Sequence, residues 1–478
     1  MNEELELGVE TEVQSNRHSK KTYLSFGMYQ ISWTIIISTY NVFLFYYYHT
    51  VIGLEAWVIF LATAFTTVWA SLNDPLIGYI TDRNFKWTKR WGRRFPWIVL
   101  GALPWCFSLI LIFSAPDASI NPWPAFFWFI FSQFIFELFI TLSDVNVGIL
   151  RVDKFRTETE RRIYSGYFGP LDMIAQVFGM TIPPLLIFTA LGSASYTVMA
   201  ILVAVIAFIF MLLFLPSARE DKIIIDRYFF RDYERISFFK GLGSVLKQKS
   251  FLGFWIIYAT FLIATTIMTA MIPYLATFLL QVGPDMITVL FAIFLTGALI
   301  SVPVWLKMLK KFNNNKKVYT IGGFILSGTL VPISLFTGII DVAIYMFIVG
   351  FAMGSIWAIG IPVIQANVQD DFVVRTGKNQ KGVLVGVGAL LGIFTAFIDE
   401  LIIAIVYGIT GFSGGIEDYA ELVATVANVD LVLWGIRFLL GIIPMVIMLT
   451  GTIIFWKIYP LTQDKVMENK AKLQELGF

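Results

Sequence analysis

The chain has 478 residues, of which 57% are hydrophobic, 16% aromatic and only 14% charged, and its mean hydropathy is +0.75. A water-soluble domain carries about 25% charged residues, so a soluble fold is excluded. A net charge of +2 offers no basic field to recruit nucleic acid, and the single cysteine, Cys106, rules out an intramolecular disulfide.

Residues 1–21 are polar, lack the apolar core and cleavage site of a secretory signal, and read as a cytoplasmic tail. Beyond them recur runs of the roughly 20 apolar residues that a membrane-spanning helix needs. They predict helices near 23–48, 55–81, 95–115, 122–150, 163–189, 194–216, 251–280, 285–308, 317–338, 341–367, 382–411 and 430–458. Lys and Arg are retained on the cytoplasmic side, and here they cluster in alternate breaks. One set is Arg17, Lys20 and Lys21; the next is Arg83, Lys86, Lys89, Arg90, Arg93 and Arg94; the third is Arg151, Lys154, Arg156, Arg161 and Arg162. The alternation continues through 217–250, 307–317, 375–381 and the last residues, whereas 49–54, 116–121 and 189–195 hold neither Lys nor Arg. Both termini are therefore expected in the cytoplasm, with an even helix count.

The expected fold class is an all-α polytopic membrane protein of twelve transmembrane helices in two six-helix bundles. The expected divisions are a tail at 1–22, a bundle at 23–216, a charged cytoplasmic loop at 217–250, a second bundle at 251–458 and a tail at 459–478. Two such halves joined by a cytoplasmic linker suggest a rocking transporter that holds its solute between them near the midplane.

An ionisable side chain at the bilayer centre costs at least about 2.5 kcal/mol on insertion scales, so each one needs a function or a partner. Asp74 stands beside Asn73 in a run with Pro75 and Gly78, which free backbone groups to line a cavity. Glu137 and Asp144 share a face of the fourth helix, with Gln133 one turn from Glu137. Asp172 and Gln176 lie one turn apart on the fifth, between Gly169 and Gly179, which permit close helix contact. Asp399 and Glu400 are adjacent on the eleventh helix, and Arg437 on the twelfth is at comparable outer depth, so an ion pair, structural or gating, is expected. His18 is in the tail and His49 at the outer end of the first helix, so proton coupling must use carboxylates. Asp74 and Asp144 are the candidates, with Glu137, Asp172 and Gln176 as further polar groups of the cavity.

Asn73-Asp74-Pro75 with Gly78, then Arg90-Trp91-Gly92-Arg93-Arg94-Phe95-Pro96-Trp97-Ile98, and Tyr46-Tyr47-Tyr48 before Val51-Ile52-Gly53-Leu54, form a recognisable set. The set resembles the glycoside-pentoside-hexuronide cation symporters, the melibiose permease-like family of the major facilitator superfamily. That resemblance implies the major facilitator fold and a cation site at Asp74, Asn73 and Asp144, the last also near sugar. The sodium-coupled members carry a second Asp one turn before the position of Asp74, where this chain has Ala70. Losing a charged oxygen ligand weakens a hard-cation site, while one carboxylate still carries a proton. The sugar pattern is incomplete too, with Thr34 in place of an Asp and Gly148 in place of a tryptophan. Gln30, Trp33, Thr34, Asn41, Asp144 and Trp357 supply the substrate-binding groups that remain.

The expected function is symport of a sugar, glycoside or similar small organic solute by alternating access, coupled to a cation, H+ more readily than Na+. Arg83, Arg93 and Arg94 are expected to latch the cytoplasmic face. The alternative is an uncoupled facilitator, or a carrier of amphipathic or lipid-like solutes. No metal-ligand spacing and no nucleophile paired with a base occurs in the sequence, so an enzyme is not expected, nor a cofactor other than the coupling ion. The expected partners are the solute and the bilayer of the plasma membrane, around a monomer.

Overall fold

The computed structural model describes residues 18–83, 85–155, 158–187, 191–221, 225, 243–377 and 381–475. Arg17, Arg156, Lys222 and most of the expected central loop lie outside the described residues. The first six long helices are α1 (Lys20–Tyr46), α2 (Ala56–Thr81), α3 (Phe95–Ile112), α4 (Pro122–Lys154), α5 (Glu158–Leu185) and α6 (Ala194–Ala218). The next six are α7 (Lys249–Leu280), α8 (Pro284–Phe312), α9 (Asn315–Thr329), α10 (Ile339–Thr376), α11 (Lys381–Thr410) and α12 (Val429–Ile458). Among the described residues, nine helices are long and apolar enough to cross a membrane by length and composition. The exceptions are α1, α5 and α9. Polar groups such as Gln30 and Asp172 interrupt α1 and α5, and α9 has only 15 residues.

Three expected boundaries move, each for a local reason. The ninth helix stops at Thr329, because Pro332 cannot continue it and opens a 3-10 turn at Pro332–Ser334. The tenth runs on to Thr376 through a π turn at Gly360–Gln365, where Pro362 supplies no N–H. The expected C-terminal tail contains a helix, α13 (Gln463–Glu475). It is anchored by Asn469, which donates to the buried Asp371 of α10 at 3.3 Å. Asp371 also accepts from Ser250 at 2.6 Å and Gln248 at 2.9 Å and pairs with Arg375 at 3.2 Å, so one carboxylate ties α10, α13 and the start of α7 together.

The chain forms two compact units, and neither is one stretch of sequence. The first comprises Met1–Tyr40, Val68–Ala115 and Trp128–Tyr233; the second comprises Asn41–Thr67, Pro116–Phe127 and Glu234–Phe478. Within the second unit the stretch that follows α1 packs backbone to backbone on the segment after α11. The His49 carbonyl accepts from the Gly415 amide at 2.8 Å, and Gly53 and Gly415, both at positive φ, face each other. A Cβ on Gly414 would meet the Leu54 carbonyl oxygen at 2.7 Å, so glycine is required there. The His49 ring is buried against Tyr407 at 4.9 Å and Phe412 at 5.0 Å.

Candidate functional site

In the first unit, α2 lies against one stretch of α4 through two neighbouring residues. Asn73 donates to the Glu137 carbonyl at 3.1 Å, and Thr141 donates to Asp74 Oδ1 at 2.8 Å. Thr141 sits four residues after Glu137 and three before Asp144, on the face both carboxylates share, so this docking brings Asp74 into their stripe. The Oδ1 of Asn73, itself 1% exposed, has no hydrogen-bond partner. That amide oxygen, beside a carboxylate, is left able to accept a further bond.

Next in the seam comes α1, whose adjacent residues serve two different helices. Tyr29 donates to Asp144 Oδ1 at 3.2 Å and lies 3.2 Å from the Ser143 hydroxyl. Gln30 donates to Asp172 Oδ1 of α5 at 2.8 Å, and Thr34 donates to the same oxygen at 3.0 Å. The close approach of α1 and α5 needs Gly179, where a Cβ would stand 2.9 Å from that of Ser38. Gly169 has open space instead. Nearer the C-terminal end of α1, Tyr40 donates to Gln133 at 3.2 Å. Asp144 is exposed, so the seam opens out of the unit there, whereas Asp74, Glu137, Asp172 and Gln176 are half-buried. Among the described residues none of Asp74, Asp144 and Asp172 forms an ion pair.

The basic loop builds a second site on Arg94, which is 4% exposed. Its guanidinium donates to Asp82 at 2.6 Å, to Asn146 at 3.2 Å and to Thr81 at 3.4 Å. Its amide and that of Phe95 donate to Glu220 Oε2 at 2.8 and 3.3 Å. Burial raises the Glu220 carboxyl above its ordinary range, and these two amides oppose that. Gly92 explains its own place in the motif, since its φ is +87° and a Cβ would run into the Glu220 carboxylate. Arg93 lies 4.0 Å from Asp82, and Arg83 donates to the Tyr79 hydroxyl at 2.5 Å.

The expected ion pair on the outer part of α11 and α12 does not form. Arg437 donates to the carbonyls of Ser334 and Phe336, both at 3.0 Å, and stacks 4.2 Å over the Phe336 ring. Those carbonyls are left without helical partners where Pro332 ends the ninth span, and they take up the guanidinium. Trp33 is half-buried with an unpartnered indole N–H, and Trp357, on α10 of the second unit, is also half-buried. Sequence reasoning missed Tyr29, Thr141, Ser143 and Asn146. The available signal was a hydroxyl at helical spacing from a carboxylate, as with Thr141 between Glu137 and Asp144.

A family model described as MFS/sugar transport protein matches residues 25–463. The sodium-dependent lysophosphatidylcholine symporter 1 of Gallus gallus is 24% identical over 446 residues, covering 85% of this chain and 80% of that protein. The inner membrane symporter YicJ of Escherichia coli (strain K12) is 31% identical over 105 residues, 22% of each chain. Among solved structures, a bacterial homolog to the human lysosomal transporter Spinster superimposes with a TM-score of 0.65 at 12% identity, covering 95% of this chain and 99% of that one.

Proposed function

Because the chain belongs to the MFS/sugar transport protein family, we propose that it is a proton-coupled symporter of an amphipathic solute of lysophospholipid type. The observation that carries the coupling is Asp74, held by the Thr141 hydroxyl at 2.8 Å beside the free Asn73 oxygen, with no basic partner. A lone carboxylate in that setting binds a proton without needing a full shell of oxygens, and Ala70 withholds the second carboxylate a sodium site would use.

For the solute, the polar groups of α1 are already engaged. Gln30 and Thr34 both donate to Asp172, which leaves few groups in this seam to pair sugar hydroxyls. The relatives named for lysophosphatidylcholine match 85% of the chain, against 22% for the bacterial symporter. In this reading Asp144, exposed and held by Tyr29, meets the polar end of the solute, and the protein acts as a monomer in the plasma membrane with both termini cytoplasmic.

The test is uptake of labelled lysophosphatidylcholine and of a sugar panel into membrane vesicles, under imposed proton or sodium gradients, for the parent chain and Asp74→Asn. Proton-driven accumulation of the lysophospholipid that is lost in Asp74→Asn is the expected result. Accumulation of a sugar instead overturns the solute assignment. Sodium-driven uptake, or uptake indifferent to both gradients, overturns the coupling assignment.

A further inference from the structure

Asp399 and Glu400 remain unexplained by the seam of the first unit. Both lie in the second unit, on a helix whose other residues at this level are apolar. Asp399 is 4% exposed, and its Oδ1 has no hydrogen-bond partner; the same holds for Oε2 of Glu400. A buried ionised carboxylate without a donor or a countercharge is not sustained, so this pair needs a cation.

The surrounding groups narrow the choice. On α12, Arg437 is engaged by two carbonyls, Asp430 stands at the outer start and Lys457 at the inner end. On α10, Asp371 and Arg375 are paired with each other at the inner end. Lys249 and Tyr258 of α7 lie toward its inner end, and Tyr274 lies near its outer end. Tyr407 of α11 itself, two turns outward of Asp399, donates to the Met271 sulfur at 3.5 Å. Glu55 precedes the outer start of α2, whose Phe60 ring lies 5.0 Å from that of Phe397. No described base or acid is thus joined to the pair. A metal ion is disfavoured, because hard cations require several oxygens. One turn from Asp399 and Glu400 the helix offers Ala396, Phe397, Ile402, Ile403 and Ala404, and the one hydroxyl at that spacing, Thr395, donates to the Gly392 carbonyl at 2.7 Å. Adjacent helical positions also aim about 100° apart, which is poor geometry for chelating one ion.

We infer that Asp399 and Glu400 form a proton-binding site in the second unit, distinct from Asp74. The proton is taken up from water when the carboxylates are wetted and given back to water by the same carboxyl oxygens. The site does not depend on the identity of the solute or on Asp74 being the coupling group.

The experiment reads the bound proton directly. A protonated carboxyl in apolar surroundings adds its O–H across a hydrophobic carbodiimide and ends as a stable N-acylurea. The full-length chain in detergent is treated with dicyclohexylcarbodiimide across a pH series and the modified peptide is identified by mass spectrometry. Labelling of Asp399 or Glu400 that falls as pH rises, and that persists in Asp74→Asn, is the expected result. Infrared difference spectra between low and high pH give a second readout, with loss of the acid carbonyl band expected in a D399N/E400Q variant. No label on either residue at any pH, or an unchanged band in the double variant, overturns the inference. Because neither readout is uptake, failure here is separable from failure of the symport assignment.

Discussion

Three carboxylates of the first unit and the Asp399–Glu400 pair of the second are held in opposite ways. In the first, each of Asp74, Asp144 and Asp172 accepts from a hydroxyl or an amide, and Arg94 is buried against a carboxylate. In the second, Arg437 is drawn to bare carbonyls, and Asp399 Oδ1 and Glu400 Oε2 are left without donors. Hydroxyl and amide donors hold a carboxylate in place while leaving it able to change its proton, whereas a tight arginine partner would fix its charge. The first unit keeps these two arrangements apart, with donors at the seam and the arginine at the basic loop between α2 and α3.

The sharpest way to break this contrast is Arg94→Ala. It removes the donor to Asn146 and leaves Asp82 only Arg93 at 4.0 Å, and is expected to cost about 3 kcal/mol, read as a loss of thermal stability in detergent. Arg437→Ala is expected to cost less, about 2 kcal/mol, because it bares neutral carbonyls. An equal or larger loss would mean that the guanidinium also serves Asp399 and Glu400. Thr141→Val gives Asp74 the donor-free state of the second-unit acids while keeping shape. About 1 kcal/mol of destabilisation and a displaced pH midpoint of uptake are expected, and an unmoved midpoint would remove Asp74 from the coupling step.

The smallest effect concerns His18, whose Nδ1 lies 2.6 Å from Glu160 and Nε2 3.1 Å from Asp221. The hydrogen bond to Asp221 is the largest influence, and with Glu160 it raises the imidazole above its ordinary 6.5 despite partial burial. A raised value means that the charged form is favoured in the folded chain. The clasp's contribution is therefore complete below about pH 6.5 and fades as pH climbs through the folded-state value. The melting temperature of His18→Gln should fall below that of the parent at acid pH and converge with it at alkaline pH. A gap that persists at high pH would rule the charged clasp out.

Much of the first unit was legible in the sequence, because rare charges in apolar helices announce themselves and period 3.6 places Glu137 and Asp144 on one face. The docking of Asn73-Asp74 against that face was not, since Thr141 is one of many hydroxyls that usually bond only their own helix. Arg437 shows a different limit. Its choice of partner was decided 103 residues away, where a proline cuts a helix short and exposes carbonyls that no spacing rule on α11 and α12 foretells. The anchoring of α13 by Asp371 was hidden for a like reason, since a polar terminal stretch gives no sign that one buried carboxylate will collect it.

Cys106 is fully buried on α3, donating to the Ala102 carbonyl at 3.3 Å, and it is the sole thiol in the chain. The native protein is therefore close to silent toward bulky maleimides. A cysteine introduced at Asp144, Asp399 or Trp357 would report its own wetting against a dark background, so the access route through either unit can be charted one position at a time without first removing a native residue.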